Sequence, residues 1–294
     1  GELEPGVARS HVISADGLHY RFELDPGARW SDGKPVLAQH FVDAYARALD
    51  PATGAPYAAM LLPILGAPER LRGDTEARLG VHADGERSLR IELGAPQGDF
   101  LRRLTMPIAF PMRVDQIAAH PRAYTRPGRL IGNGAYRLAE WTPQAHLLLE
   151  RNPHYRRASA VAIDKVRFHV TEDAALEQKR YAAGELHLTE TLAPGQFVAL
   201  RAAFGEAVVV APAFASFYLG YNLRHSPLAG AIGLREALLL AIDREVLVRH
   251  ITGNGELALE SLIPPLPGLY QPAPTALGAM PIEARRQRAR ALYA

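Results

Sequence analysis

The sequence predicts a mixed α/β protein of more than one domain, and three observations carry that prediction. Its 294 residues exceed the ~100–200 of a usual domain. Runs of period-two alternation recur along the chain. Segments with helical spacing lie between them, giving a strand–helix–strand succession.

Leu18, Tyr20, Phe22 and Leu24 alternate with His19, Arg21 and Glu23, the period of a half-buried strand. Pro26-Gly27 ends it in a turn. A helix is predicted from about Ala38 to Leu49, with Phe41, Val42, Tyr45 and Leu49 on one face, and Asp50-Pro51 stops it. Leu79 to Leu93 reads as a hairpin turned at Asp84-Gly85. Ala135 to Trp141 and Ala145 to Glu150 read as strands joined by Thr142-Pro143-Gln144, and Asn152-Pro153 breaks the second. Val166, Phe168 and Val170 alternate in a further strand.

Thr171 is a candidate cap for a helix from Glu172 to Ala183, since its hydroxyl can accept a free backbone N–H. Gly184 stands where a helix C-terminus favours a left-handed residue. Leu186 and Leu188 begin a short strand, and Pro194 suits the first turn of a helix running to about Phe204. Val208 to Val210 reads as a buried strand and Ser216 to Asn222 as another, a succession that predicts parallel pairing. A helix from about Leu234 to Ile242 and a second capped by Asp243 follow. A loop rich in proline and glycine begins beyond Leu262, and a basic helix is expected from Glu283 to Leu292.

Composition excludes several classes. Hydrophobic residues make up 48% and charged residues 22%, the balance of a folded chain. No apolar stretch approaches the ~18 residues of a membrane helix, so an integral membrane protein is not expected. A net charge of +2 gives no electrostatic footprint for nucleic acid. With no cysteine, a thiol nucleophile and a Cys-ligated metal are excluded. The start Gly1-Glu2-Leu3-Glu4-Pro5 has no basic or apolar leader, so any signal peptide is expected to have been removed or never to have existed.

Enzyme signatures do not survive inspection. Ser31-Asp32-Gly33-Lys34 has the spacing of a Ser-x-x-Lys pair, but Gly33 and Pro35 make it a turn, whereas that chemistry needs a helix. Gly253-Asn254-Gly255-Glu256-Leu257-Ala258 fits a loose dinucleotide pattern, yet it leaves a helix rather than a strand. The 11 histidines are scattered and form no i, i+4 pair, so a metal cluster is not expected. The aromatic residues are more suggestive. Phe217 reads as core. Tyr57, in a loop after the first helix, and Tyr218, on a short strand, are open to two readings: core packing, or a ligand contact apolar along its side and polar at its tip.

Several blocks resemble one family in order. Trp30-Ser31-Asp32-Gly33-Lys34-Pro35-Val36, Ala38-Gln39-His40-Phe41-Val42 and Pro56-Tyr57-Ala58 come first. Gly132-Asn133-Gly134-Ala135-Tyr136, Arg151-Asn152-Pro153-His154-Tyr155 and Tyr181-Ala182-Ala183-Gly184-Glu185-Leu186 follow. Tyr221-Asn222, Leu234-Arg235-Glu236-Ala237-Leu238 and Ala241-Ile242-Asp243-Arg244 complete the set. Together they resemble the oligopeptide- and dipeptide-binding proteins of ABC importers, extracytoplasmic solute-binding family 5.

The resemblance implies a type II periplasmic binding protein-like α/β fold with an additional small α+β domain. It divides the chain into 1–112, the small family-specific domain; 113–214, the central part of lobe one; and 215–294, the start of lobe two with a C-terminal linker. Relative to the family, the chain is expected to be a fragment lacking the N-terminal strands and most of the second lobe. The implied function is capture of a peptide or other small solute in an interlobe cleft, without catalysis or cofactor. The implied partner is an inner-membrane ABC permease, and the implied location is the periplasm or a membrane-anchored extracytoplasmic lipoprotein. By position, Tyr57 matches a ligand-facing tyrosine, Tyr218 a pocket aromatic near the hinge, and Thr191 a position that is often Asn. The family usually has Ser or Thr at Leu37 and Asp at His40, so the first helix loses a capping hydroxyl and a favoured carboxylate. The alternative is the solute-sensing module of a cytoplasmic transcription regulator; a hydrolase is the third class.

Overall fold

The computed structural model describes residues 2–211, 215–224, 227–266, 270–276 and 279–294. The chain forms two compact units, Gly1–Val170 and Thr171–Ala294. The end of the expected 113–214 segment, at Phe214, and Pro267 and Gly268 of the expected linker lie outside the described residues.

In the first unit, strands β1 (Ala8–Ile13), β2 (His19–Leu24), β3 (Val81–Ala83) and β4 (Ser88–Glu92) form one antiparallel sheet in the order β1-β2-β4-β3. Tyr20 pairs with Ile91 and Phe22 with Leu89, so the apolar alternation of both strands falls on one face. Helix α1 (Ala38–Ala48) covers that face through Phe41, Ala44 and Tyr45. Short helices α2 (Ala67–Leu71), α3 (Phe100–Arg103) and α4 (Val114–Ala119) complete this part. Trp30, Leu49, Leu61, Ile64 and Phe100 are fully enclosed in the same core. Tyr45 donates its hydroxyl to the Ala109 carbonyl at 3.0 Å, and burial pushes its phenol pKa up.

A second antiparallel sheet follows in the order β5 (Tyr136–Thr142), β6 (His146–Arg151), β7 (Lys165–His169). The expected hairpins at Asp84-Gly85 and Thr142–Gln144 are both present.

The second unit carries α5 (Ala174–Ala182), α6 (Phe197–Phe204), α7 (Ile232–Ala241), α8 (Arg244–Val246) with a wider helical turn over Leu247–Thr252, and α9 (Ile282–Tyr293). Helix α9 packs Ala289 and Leu292 against Ala237 and Leu240 of α7, and Asp243 caps α8 by accepting from the Val246 N–H.

Four expectations need correction. Thr171 does not cap α5; the Asp173 carboxylate does, accepting from the N–H groups of Ala175 and Leu176. A carboxylate is the better partner for a positive helix end. Pro194 does not open α6, which starts at Phe197 after a Pro194-Gly195 turn. Leu186–Leu188, Val208–Val210 and Ser216–Asn222 are not strands, and every described ladder is antiparallel. Apolar alternation makes a strand only where a partner backbone accepts its hydrogen bonds, and none does so for these segments among the described residues. For the same reason Phe217, expected in the core, is fully exposed.

Candidate functional site

Several of the blocks that carry the resemblance, all before Val170, meet in one scaffold in the first unit. Residues Trp30–Lys34 form a tight turn in which Gly33 N–H donates to the Trp30 carbonyl and Trp30 N–H to the Lys34 carbonyl. Ser31 and Lys34 therefore lie on a turn, as expected, and not on a helix. The Ser31 N–H reaches the Gly132 carbonyl at 2.8 Å, tying this turn to the Gly132–Tyr136 block. Arg113, almost wholly buried, donates to Asp32 at 2.8 Å and to Asp115 at 2.6 Å. Asn152 is fully buried, and its side chain donates to the Gly134 carbonyl and accepts from the His154 N–H.

Helix α1 starts without a capping hydroxyl, because Leu37 has none. Instead His40 accepts on Nδ1 from the Leu37 N–H at 2.9 Å and the Trp30 Nε1–H at 3.2 Å. The histidine thus takes over the acceptor role of the carboxylate it was read as replacing.

Tyr57 is presented by this scaffold. Asp50 caps the turn Pro51–Thr53 through the Ala52 N–H, and the buried Ala58 and Leu61 anchor the turn that follows. Tyr57 between them is 67% exposed, with φ +64° and ψ +15°. Core packing is therefore excluded for Tyr57. A left-handed backbone costs a non-glycine residue roughly 1–2 kcal/mol, and such strain concentrates at functional positions.

In the second unit, Thr191 lines a cavity of about 170 Å³ between α5, α6 and the segments around residues 187–192 and 207–209. Tyr181 and Phe204 meet edge to face at 5.4 Å along its wall. Gln178, also in the lining, holds its Nε2 buried with no hydrogen-bond partner. Tyr218 is exposed and is not part of that lining. Of this lining, the resemblance singled out Thr191 and not Gln178, Tyr181 or Phe204. The i, i+3 spacing of Gln178 and Tyr181 was the available signal; the approach of Phe204 from another helix left none. Among the described residues no group of three or more His, Asp or Glu could hold a metal, and no helix is long and apolar enough to cross a membrane.

Comparison with known proteins places these features. The model of "Bacterial extracellular solute-binding proteins, family 5 Middle" matches residues 2–294. The periplasmic oligopeptide-binding protein OppA of Escherichia coli is 32% identical over 90% of this chain and 49% of its own. The probable deoxycholate-binding periplasmic protein YgiS of the same organism is 31% identical over 86% of this chain and 48% of its own. The solved murein tripeptide-binding protein MppA of Escherichia coli superposes with a TM-score of 0.91 at 32% identity, over all of this chain and 58% of that one. The chain spans about half the length of the curated relatives it matches.

Fold and sequence together define a solute-binding protein with the type II periplasmic binding protein fold. The chain belongs to the bacterial extracellular solute-binding proteins of family 5.

Proposed function

We propose that this chain is part of the periplasmic substrate-binding component of an ABC importer, capturing peptides and delivering them to an inner-membrane permease. The observation that carries this reading is the family match over residues 2–294, joined to relatives named for oligopeptide and murein peptide binding. Capture of this kind is a population shift. A ligand held between lobes stabilises the closed form by the contacts it gains there, and the permease reads the closed form. Main-chain hydrogen bonds grip an extended peptide whatever its side chains, which suits broad specificity. Tyr57, Tyr218 and Thr191 are the residues we assign to the ligand, the first for its exposure on a fixed turn and the last for its place on a cavity wall. The protein binds and releases without chemistry. Nothing in the comparisons supports the transcription-regulator alternative.

The relative named for deoxycholate supports a second reading, an amphipathic non-peptide solute. Calorimetry of the full gene product against di- to pentapeptides and against deoxycholate separates the two. Peptide binding with intact peptide recovered afterwards supports the first reading, and heat with deoxycholate alone supports the second. Silence toward both would overturn the small-solute assignment. The 294-residue chain by itself is expected to bind peptides more weakly than micromolar, because a one-sided site keeps its water.

A further inference from the structure

We propose that His40 is an acid-sensitive latch joining the Trp30–Val36 loop to the start of helix α1. Two N–H donors, from the Leu37 backbone and the Trp30 indole, converge on the one ring nitrogen Nδ1. That nitrogen must therefore carry a lone pair, and the ring proton sits on Nε2. Trp30 is 1% exposed, so its indole N–H has no water to turn to. The rings meet edge to face at 5.3 Å, which holds the imidazole in place. The first turn of α1 has no acidic residue to take over as acceptor.

Protonating Nδ1 turns the acceptor into a donor facing two donors. Both hydrogen bonds are lost, and a buried N–H is left unpaired. The added charge also sits at the positive end of α1. Arg113, entering from the start of α4, opposes the cation; Asp115 of α4, Asp43 of α1 and Asp32 of the loop favour it. Burial, helped by Arg113, outweighs the three carboxylates and holds His40 below the ordinary imidazole range. With the folded value below the unfolded one, the latch is fully present above the ordinary value of about 6.5 and is lost as pH falls through the folded value.

The test is a pH titration of the whole 294-residue chain from pH 7.5 to 5, followed at the Trp30 indole N–H by NMR and in parallel by thermal melting. The chain has two tryptophans, so W141F assigns the signal. The Trp30 resonance is expected to move with a midpoint below about 6.5, with the melting temperature falling over the same interval. H40D supplies a carboxylate acceptor that stays ionised in this range, and H40N a neutral one. In either, the indole signal should stay flat and the acid loss of melting temperature should shrink at least twofold. A wild-type indole signal that does not respond to pH, a His40 midpoint at or above about 6.5, or an acid loss unchanged in whichever variant folds would overturn the latch.

Discussion

Arg113 donates to the Asp32 carboxylate at 2.8 Å, joining residues 81 positions apart in sequence. The guanidinium is 5% exposed, so water cannot replace the partner it would lose. Its two carboxylates differ. Asp115 is half exposed and is held well below the usual carboxylate range chiefly by its hydrogen bond from Arg113. Burial pushes Asp32 up, but Arg113 and the Lys34 N–H more than offset this and bring it below the ordinary value.

Asp32→Ala is therefore expected to cost about 1–3 kcal/mol at pH 7, the penalty of an incompletely paired buried donor. Because the folded pKa is depressed, the Asp32 contribution is present above the unfolded value of about 4 and disappears as pH falls below it. Urea unfolding of wild type and D32A at pH 7 and at pH 3 checks both parts, and the gap between them should narrow at the lower pH. An equal gap at both would remove the ionised pair as its cause.

Asn152 gives a second, independent expectation. Its amide satisfies the Gly134 carbonyl with one end and the His154 N–H with the other. Asn152→Ala leaves both to find water and should lose about 1–3 kcal/mol. Asn152→Asp keeps the acceptor for His154 but sets a carboxylate oxygen against a carbonyl, so it should not rescue stability. Chemical denaturation of the two variants at neutral pH decides it.

Gly66 and Gly73 form a matched pair. Both have left-handed backbones, with φ +76° and +98°. A Cβ on Gly66 would stand 1.9 Å from the Arg78 carbonyl oxygen, whereas one on Gly73 would meet nothing within 4 Å. Gly73→Ala should cost about 1 kcal/mol, the backbone penalty alone. Gly66→Ala should cost clearly more, since a backbone carbonyl must move. Melting temperatures of the two side by side test the difference.

The first unit was largely legible in the sequence because its signals are local. The alternation at Tyr20, Phe22 and Leu24 and the spacing of Phe41, Tyr45 and Leu49 each report one buried face within a single segment, although the partners, such as Ile91 and Leu89, come from far along the chain. In the second unit the helices were legible, and the strands were not. Val208–Val210 and Ser216–Asn222 carry strand-like sequence without a described partner, and a ladder is a property of two segments rather than one. The cap of α5 was misplaced for a similar reason, since Thr171 and Asp173 compete for one helix end and only geometry separates them, whereas the Asp243 cap held. The residues we propose for the ligand, Tyr57, Tyr218 and Thr191, came from the resemblance rather than from periodicity or composition. The cavity wall from Tyr181 and Phe204 depends on two helices meeting.

Tyr57 offers the most direct test of the binding reading. Its ring is two-thirds exposed, and its backbone is held left-handed between a capped turn and the anchored Ala58–Leu61 turn. Removing the ring opens no core cavity, so Tyr57→Ala should change stability far less than the ~3–5 kcal/mol of a buried aromatic truncation. Tyr57→Gly should be neutral or stabilising by up to about 1 kcal/mol, because glycine relieves the left-handed strain. If the ring contacts the ligand, both variants of the full gene product should lose about 1–2 kcal/mol of binding, the usual range for an aromatic anchor. Phenylalanine at this position separates the two parts of that contact, keeping the apolar side and losing only the hydroxyl hydrogen bond. Melting and calorimetric titration on the three variants give the answer, and unchanged affinity in both the alanine and glycine variants would remove Tyr57 from the site.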